Sequence, residues 1–247
     1  MSRFVAVVVV IFLSMDVAAY RPSATSLLFR AAALQRGRDA RTLVVLSEAS
    51  LPGLSPGAVD EKLVFLAPSS TRLELGLPGG RGVLVRTGEQ TRVHAGNSDE
   101  EKRLILPQLI STFFTTSPPL SEDDAAKRLL AACVAIGVDT TVVSLARFDG
   151  RIAWLIGSKP WEENKSQIWL DKEQFLLLRV VQAHNAGKTS AATEEVRLLG
   201  YGSAEAGNWF PKTVEILVAG ELVRHSVVRS VEKNVVVAPG LFKGAKG

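Results

Sequence analysis

One cysteine, three histidines and no long apolar stretch beyond the first two dozen residues are what this chain has least of. With Cys133 alone, no intramolecular disulfide can form, so stability must come from burial. Its flanks, Leu129-Leu130-Ala131-Ala132 before it and Val134 after it, put small apolar neighbours at helical spacing and predict a core thiol. The histidines His94, His184 and His225 fall on predicted strands or strand ends, with no His-x-His or His-x-x-x-His spacing among them. There is no Gly-x-Ser-x-Gly elbow and no phosphate-cradling glycine loop. Pro78-Gly79-Gly80-Arg81-Gly82 lies between two predicted strands, so it lacks the helix dipole that would hold phosphate and reads as a turn. Glu122, Asp123 and Asp124 stand at a helix start, where compensation of the dipole accounts for them without a metal. The expectation is no catalytic residue, no metal and no cofactor. A hydrolase built on Asp171, Glu173 or Glu194 is the catalytic alternative, should those carboxylates converge.

Excess charge is also slight. The formal net charge is +4, and basic groups such as Arg36, Arg38 and Arg41 are matched elsewhere by interleaved acids. A solvated surface is expected and nucleic acid is not an expected partner.

What is present begins with residues 1–19. Arg3 is followed by an apolar run from Phe4 to Met15, broken only by Ser14, and then by the small residues Val17-Ala18-Ala19. This is the pattern of an export signal, cut near Ala19. The run is about a dozen residues, short of the ~20 that a spanning helix needs. Tyr20, not a cysteine, stands immediately after the expected cut, so no thioether-linked lipid is expected there, and the product should be periplasmic, freely diffusing and monomeric.

From Ser23 to Arg36, Leu27, Leu28, Ala31, Ala32 and Leu34 recur at helical spacing, with Ser23 or Thr25 as cap. Short β-branched or alternating segments then follow at 42–46, 62–66, 72–75, 82–86 and 90–94, divided by Gly, Pro or Ser clusters. Asn97-Ser98-Asp99-Glu100-Glu101 announces a helix carrying Leu104, Ile105, Leu109, Ile110, Phe113 and Phe114, with Pro107 as a kink. A loop over 115–119 leads to Ser121 and a second helix that ends at Gly137. Seven further strands are predicted, with Asp149-Gly150 and Ala219-Gly220 as hairpin turns and Asp171-Lys172-Glu173 as a third. A dozen strands, few helices and no βαβ alternation predict an α+β fold, one large curved antiparallel sheet or incomplete β-barrel with helices covering its concave face. One domain over 20–242 and a flexible tail over 243–247 complete the expected organisation.

Such a sheet and its cover can hold an apolar guest between them. Leu73, Leu75, Leu109, Phe113, Phe114, Trp154 and Trp169 are the candidate lining, and an ordinary filled core is the alternative use of the same residues. An acyl chain of about 16 carbons would gain ~0.8 kcal/mol per methylene buried there.

Several segments carry a family resemblance. Phe65-Leu66-Ala67-Pro68-Ser69-Ser70-Thr71-Arg72-Leu73-Glu74 resembles the early strand pair of the LolA/LolB-type outer-membrane lipoprotein-sorting proteins. The segments 156–157, 167–175 with Arg179, 209–216 and 234–242 are similar to later pieces of that superfamily, in the same order. The resemblance implies a half-barrel with a helical lid, a hydrophobic cavity, and periplasmic traffic of lipoprotein acyl chains or other lipid, with envelope membrane proteins as further partners. Arg72 is the candidate for a contact with a cargo or lid carbonyl, and a solvated strand arginine is the alternative. Two positions depart from the pattern: Ala67 replaces the arginine that usually precedes the proline and latches the lid, and Thr87 replaces the aspartate before Gly88. An envelope scaffolding module with a filled core and a protein partner is the competing reading.

Overall fold

The computed structural model describes residues 22–36, 40–115, 121–184, 192–238 and 240–243. The expected export signal with its cut at Ala19, Arg38, most of the loop over 115–119 and the tail beyond 243 lie outside them.

Twelve strands form one antiparallel sheet in the order β5-β4-β3-β2-β1-β12-β11-β10-β9-β8-β7-β6. The first half contains β1 (Thr42–Ser50), β2 (Val59–Leu66), β3 (Ser70–Leu77), β4 (Gly80–Thr87) and β5 (Gln90–His94). The second contains β6 (Val143–Phe148), β7 (Arg151–Ile156), β8 (Gln167–Asp171), β9 (Leu177–His184), β10 (Ala192–Leu199), β11 (Thr213–Val218) and β12 (Glu221–Lys233). Its edges β5 and β6 do not pair, so the sheet is an open, incomplete barrel. Register shifts at Leu46/Ser47, Trp169/Leu170 and Ile216/Leu217 are bulges, which bend and twist the strands that carry them.

The hairpins close where their turn residues require. Asp149 and Gly150 both have positive φ, 48° and 74°, as do Ala219 and Gly220 at 51° and 82°. That pair of left-handed residues makes the turn whose twist matches its strands. At the third turn, Asp171 Oδ1 accepts from the backbone N–H groups of Glu173 and Gln174 at 2.9 and 2.7 Å.

Helices α1 (Ala24–Arg36), α3 (Gln108–Phe114) and α4 (Glu122–Ala135) pack against the concave face, and a single turn α2 (Ser98–Glu101) precedes α3. Ser23 caps α1, accepting from Ser26 N at 3.1 Å, and turns Leu27, Leu28, Ala31 and Ala32 inward. Asn97 caps α2 through the N–H groups of Asp99 and Glu100. Ser121 caps α4 through Asp124 N, and Gly137 ends it at φ 81°.

The helix expected from Leu104 to Phe114 is not continuous. A 3-10 turn, Lys102–Leu104, gives way to extended backbone at Ile105 and Pro107, and α3 starts only at Gln108. Proline lacks the N–H that would continue the ladder and pushes the residue before it out of the helical region, so Pro107 separates the elements rather than bending one.

Alternation sorts the sheet into two faces. Leu73, Leu75, Leu77, Leu84, Val180, Val196 and Leu198 join the helices in the main core. A smaller cluster of Ala153, Leu155, Trp169, Leu176 and Leu178 lies on the outer face of β7 to β9. Arg179 covers it, its guanidinium 5.3 Å from the centre of the Trp169 ring and 5.9 Å from that of Phe148. Glu195 holds Arg179 in place through two hydrogen bonds of 2.7 and 2.8 Å.

Candidate functional site

An open cavity of about 650 Å³ lies between α4, the segment entering α3, and the ends of β4, β5, β9 and β10. β4 and β10 are separated in the sheet by five strands, so curvature alone brings both to one hollow. β4, β9 and β10 continue their concave faces past the apolar core. Leu84 is followed two residues on by Arg86, Val180 by Gln182 and then His184, and Glu194 precedes Val196 by the same step. The strand side is therefore apolar toward the core and polar at the rim, and Ser69, Gln108, Thr112 and Arg128 add polar groups from the turn and helices.

α4 supplies a wall of small side chains. Ala131, Ala132 and Ala135 line the cavity, none reaching beyond Cβ, with Ile136 below them. Leu84, Ile105 and Leu106 stand opposite, and Val93 closes the side toward the β5 edge. One turn earlier on the same face stands Arg128, which also lines the cavity.

At the rim, Arg86 donates from Nε to Thr91 Oγ1 at 3.0 Å and from Nη1 to the Leu106 carbonyl at 2.7 Å. Thr91 is its cross-strand partner. Burial lowers the pKa of Arg86, and the negative charge of Glu194 partly offsets this. Glu194 Oε1 lies 3.0 Å from His184 Nε2, close enough for an ion pair when the imidazole is protonated, although the two are not aligned as a hydrogen bond. Glu89 adds a second carboxylate to the lining.

Arg128 ties the wall to the sheet. Its Nη2 donates to the Pro68 carbonyl at 2.7 Å, joining α4 to the turn between β2 and β3. The Ala67-Pro68 bond is cis. Where the resemblance led one to look for an arginine before the proline, the chain has Ala67, and an arginine on the helix reaches the turn from the other side.

The residues singled out in sequence occupy other places. Leu73, Leu75 and Leu109 are wholly buried in the main core, and Phe113 and Phe114 are 4% exposed there. Phe114 packs on Phe210 and Trp209 at ring-centre distances of 4.6 and 6.3 Å. Trp154 is half-buried against the same core. Trp169 is in the outer cluster, its indole N–H donating to Gln167 Oε1 at 2.9 Å. None of these seven lines the cavity. Arg72 alternates with Leu73 and so lies on the outer face, where it donates to Glu74 at 2.6 Å and to the Leu241 carbonyl at 3.0 Å. It thus grips a carbonyl of the chain's own closing segment.

Asp171 and Glu173 lie at the far end of β8 from the cavity, Asp171 engaged by Arg151 at 3.2 Å, while Glu194 stands at the rim. The three carboxylates do not converge. Cys133 is buried in the core as expected, and burial pushes its thiol up to about 12. Sequence reasoning missed Arg86, Gln182, His184 and the alanines of α4. The signal was available in part, since a polar residue two places beyond the last inward apolar one marks where a concave face meets solvent.

No protein-family model matches this chain, and no curated protein matches it. Among solved structures it is similar to a LolA superfamily protein from Nitrosomonas europaea, at 12% identity over 90% of this chain and 98% of that one, with a TM-score of 0.46. It is also similar to a putative outer membrane lipoprotein-sorting protein domain from Vibrio parahaemolyticus, at 11% identity over 88% and 97% of the two chains, TM-score 0.41. A DUF1329 family protein from Desulfovibrio piger stands at 12% identity, 90% and 98% coverage and TM-score 0.41. The first two carry the name of the group whose segments this sequence resembles. At these identities no residue role passes from them to this chain.

Proposed function

We propose that the protein is a periplasmic, non-enzymatic carrier that shelters the acyl chain of a lipid or lipoprotein between its sheet and α4. The observation that carries the reading is the open cavity of about 650 Å³ walled by Leu84, Leu106 and the α4 alanines. Ligand sites commonly run ~300–1,000 Å³ and combine apolar walls with placed polar groups, and this cavity has both, with Arg86 and Arg128 among the polar ones. An export signal over residues 1–19 would deliver the chain to the compartment where such a cargo is found.

The energetics suit a carrier. Burying about 16 methylenes at ~0.8 kcal/mol each yields a gross gain of ~13 kcal/mol. Association costs of ~4–15 kcal/mol offset much of it, so affinity is about micromolar at best. A carrier must release what it takes, and a site of this strength does.

The test is uptake of a fluorescent sixteen-carbon amphiphile by the purified full chain, with displacement by unlabelled palmitate. Saturable, displaceable uptake is expected, and folded protein that takes up none would sink the reading. The scaffolding alternative draws on the tightly packed Leu73, Leu75 and Phe113 and on the open β6 edge, where Leu145 is 47% exposed. Cross-linking in cells that captured one constant protein partner and no lipid would favour it.

A further inference from the structure

The cavity has a size and a charge pattern that narrow the cargo beyond an acyl chain in general. At about 30 Å³ per heavy atom, the share a water takes in its liquid, 650 Å³ holds roughly 22 atoms. Two sixteen-carbon chains would need ~960 Å³ and three ~1,440 Å³ on the same scale. One chain and a small head match this volume, and the second chain of a diacyl lipid would lie outside it, through the open side.

Two arginines line the cavity, Arg128 tied to the Pro68 carbonyl and Arg86 at the strand rim, and the head is assigned to Arg86. A guanidinium carries five N–H donors in a rigid fork. Thr91 and the Leu106 carbonyl take two of them, and no described residue takes the other three. Its side chain lines the open space, half-buried at the end of an apolar wall. Glu194 acts on it by charge without forming an ion pair with it among the described residues, because the Glu194 carboxylate is turned to His184 at 3.0 Å. A planar cation with spare donors, fixed by two bonds at the mouth of an apolar hollow, is suited to bidentate capture of a carboxylate or phosphate.

We propose that the cavity binds a single-chain amphiphile with an anionic head, carboxylate or phosphate monoester, the head on Arg86 and the chain along Ala131, Ala132 and Leu106. The inference rests on the carrier reading above and deepens it. Glu194 is then the group that the bound anion displaces from its influence on Arg86, and it weakens binding of the anion.

The experiment measures displacement of a fluorescent sixteen-carbon probe from the full chain by palmitate, hexadecyl phosphate, hexadecanol, dipalmitoyl phosphatidic acid and inorganic phosphate. The two single-chain anions are expected to bind about tenfold or more tighter than hexadecanol, the worth of a hydrogen-bonded charge pair. The diacyl lipid should compete poorly and inorganic phosphate should not displace the probe. Arg86→Gln should abolish the preference for the anions over hexadecanol, and hexadecanol that the variant still takes up shows that the cavity stands. Glu194→Gln, which leaves the Leu106 contact untouched, should tighten the anions alone. Equal affinity for hexadecanol and palmitate, or diacyl lipid bound as well as single-chain lipid, would overturn this inference and leave the carrier reading in place. Displacement by inorganic phosphate at the concentration of hexadecyl phosphate would reduce the site to a bare anion site and overturn it too. No uptake of any sixteen-carbon probe would remove both.

Discussion

Arg224 on β12 reaches across β1 to Glu61 on β2, its Nε 3.2 Å from Glu61 Oε2, with both side chains buried on the concave face. The contact is electrostatic, since Nε lacks hydrogen-bond alignment. The rest of the fork is engaged: Nη1 donates to the Arg103 carbonyl and Nη2 to that of Ile105 at 3.3 Å. Ser226 Oγ donates to the same Glu61 oxygen at 2.8 Å. Burial lowers the pKa of Arg224 and the charge of Glu61 opposes that shift. The pair thus fixes the chain leading into Pro107, which forms one side of the cavity.

Removing one member of this pair leaves a buried charge without its partner, so Glu61→Gln and Arg224→Met should each cost about 3–5 kcal/mol. Urea unfolding reads this as a lower midpoint with an unchanged slope. Because both changes break the same interaction, the double variant should lose less than the sum. Additive losses would show that the two residues act separately.

The α4 wall can be closed without touching the core. Ala131→Leu combined with Ala135→Leu should fill the cavity and lower amphiphile uptake about tenfold or more, because the chain loses its burial. The exposed helical positions should leave the unfolding free energy within ~0.5 kcal/mol of wild type. Uptake that survived the filling would place the ligand elsewhere.

Arg128→Ala removes the bond to the Pro68 carbonyl and with it about 1 kcal/mol of attachment of α4 to the sheet turn. Hydrogen exchange of α4 amides should quicken about fivefold while strands β1 and β12 exchange as before. Uniform acceleration across the chain would mean global destabilisation and no local latch.

Burial pushes the Glu195 carboxyl up, and hydrogen bonds and charge from Arg179 and Arg197 outweigh it, holding the group below the usual carboxylate range. A lowered folded pKa contributes stability that is complete above the unfolded value of about 4.3 and is lost as pH falls through the folded one. Thermal unfolding from pH 6 downward should show this acid-side loss, and Glu195→Gln should flatten it while lowering stability at neutral pH. An unaltered pH profile in the variant would count against the network.

Cys133 is expected to resist alkylation and disulfide-exchange reagents at pH 8 in the folded protein, with burial holding its thiol near 12. Mass spectrometry after brief iodoacetamide treatment should find one adduct in denaturant and none without it. Labelling of the native chain would show that α4 opens.

Local signals reached far in this chain. The turns at Asp149-Gly150 and Ala219-Gly220, the caps Ser23, Asn97 and Ser121 and the stop at Gly137 were each legible because a turn or cap depends on a few adjacent residues. The break at Pro107 was legible as a perturbation, yet its extent was not. Whether proline bends a helix or ends it depends on what holds the freed backbone, and here Arg224, more than a hundred residues away, holds the carbonyls of Arg103 and Ile105. Trp169 and Leu73 looked alike in sequence as apolar strand residues, and the bulge at Trp169/Leu170 together with alternation set them on opposite faces.

Composition and periodicity were enough to establish that this chain makes a strand-rich antiparallel sheet with helices on one side, because alternation and capping are short-range properties of the backbone. They could not say where that sheet is filled and where it is hollow. The cavity exists because curvature over the strands between β4 and β10 brings Arg86 and Glu194 round to the alanine face of α4. Curvature accumulates from the bulges and the packing of α1, α3 and α4 across the whole sheet, and such a sum is not written in any one segment of the chain.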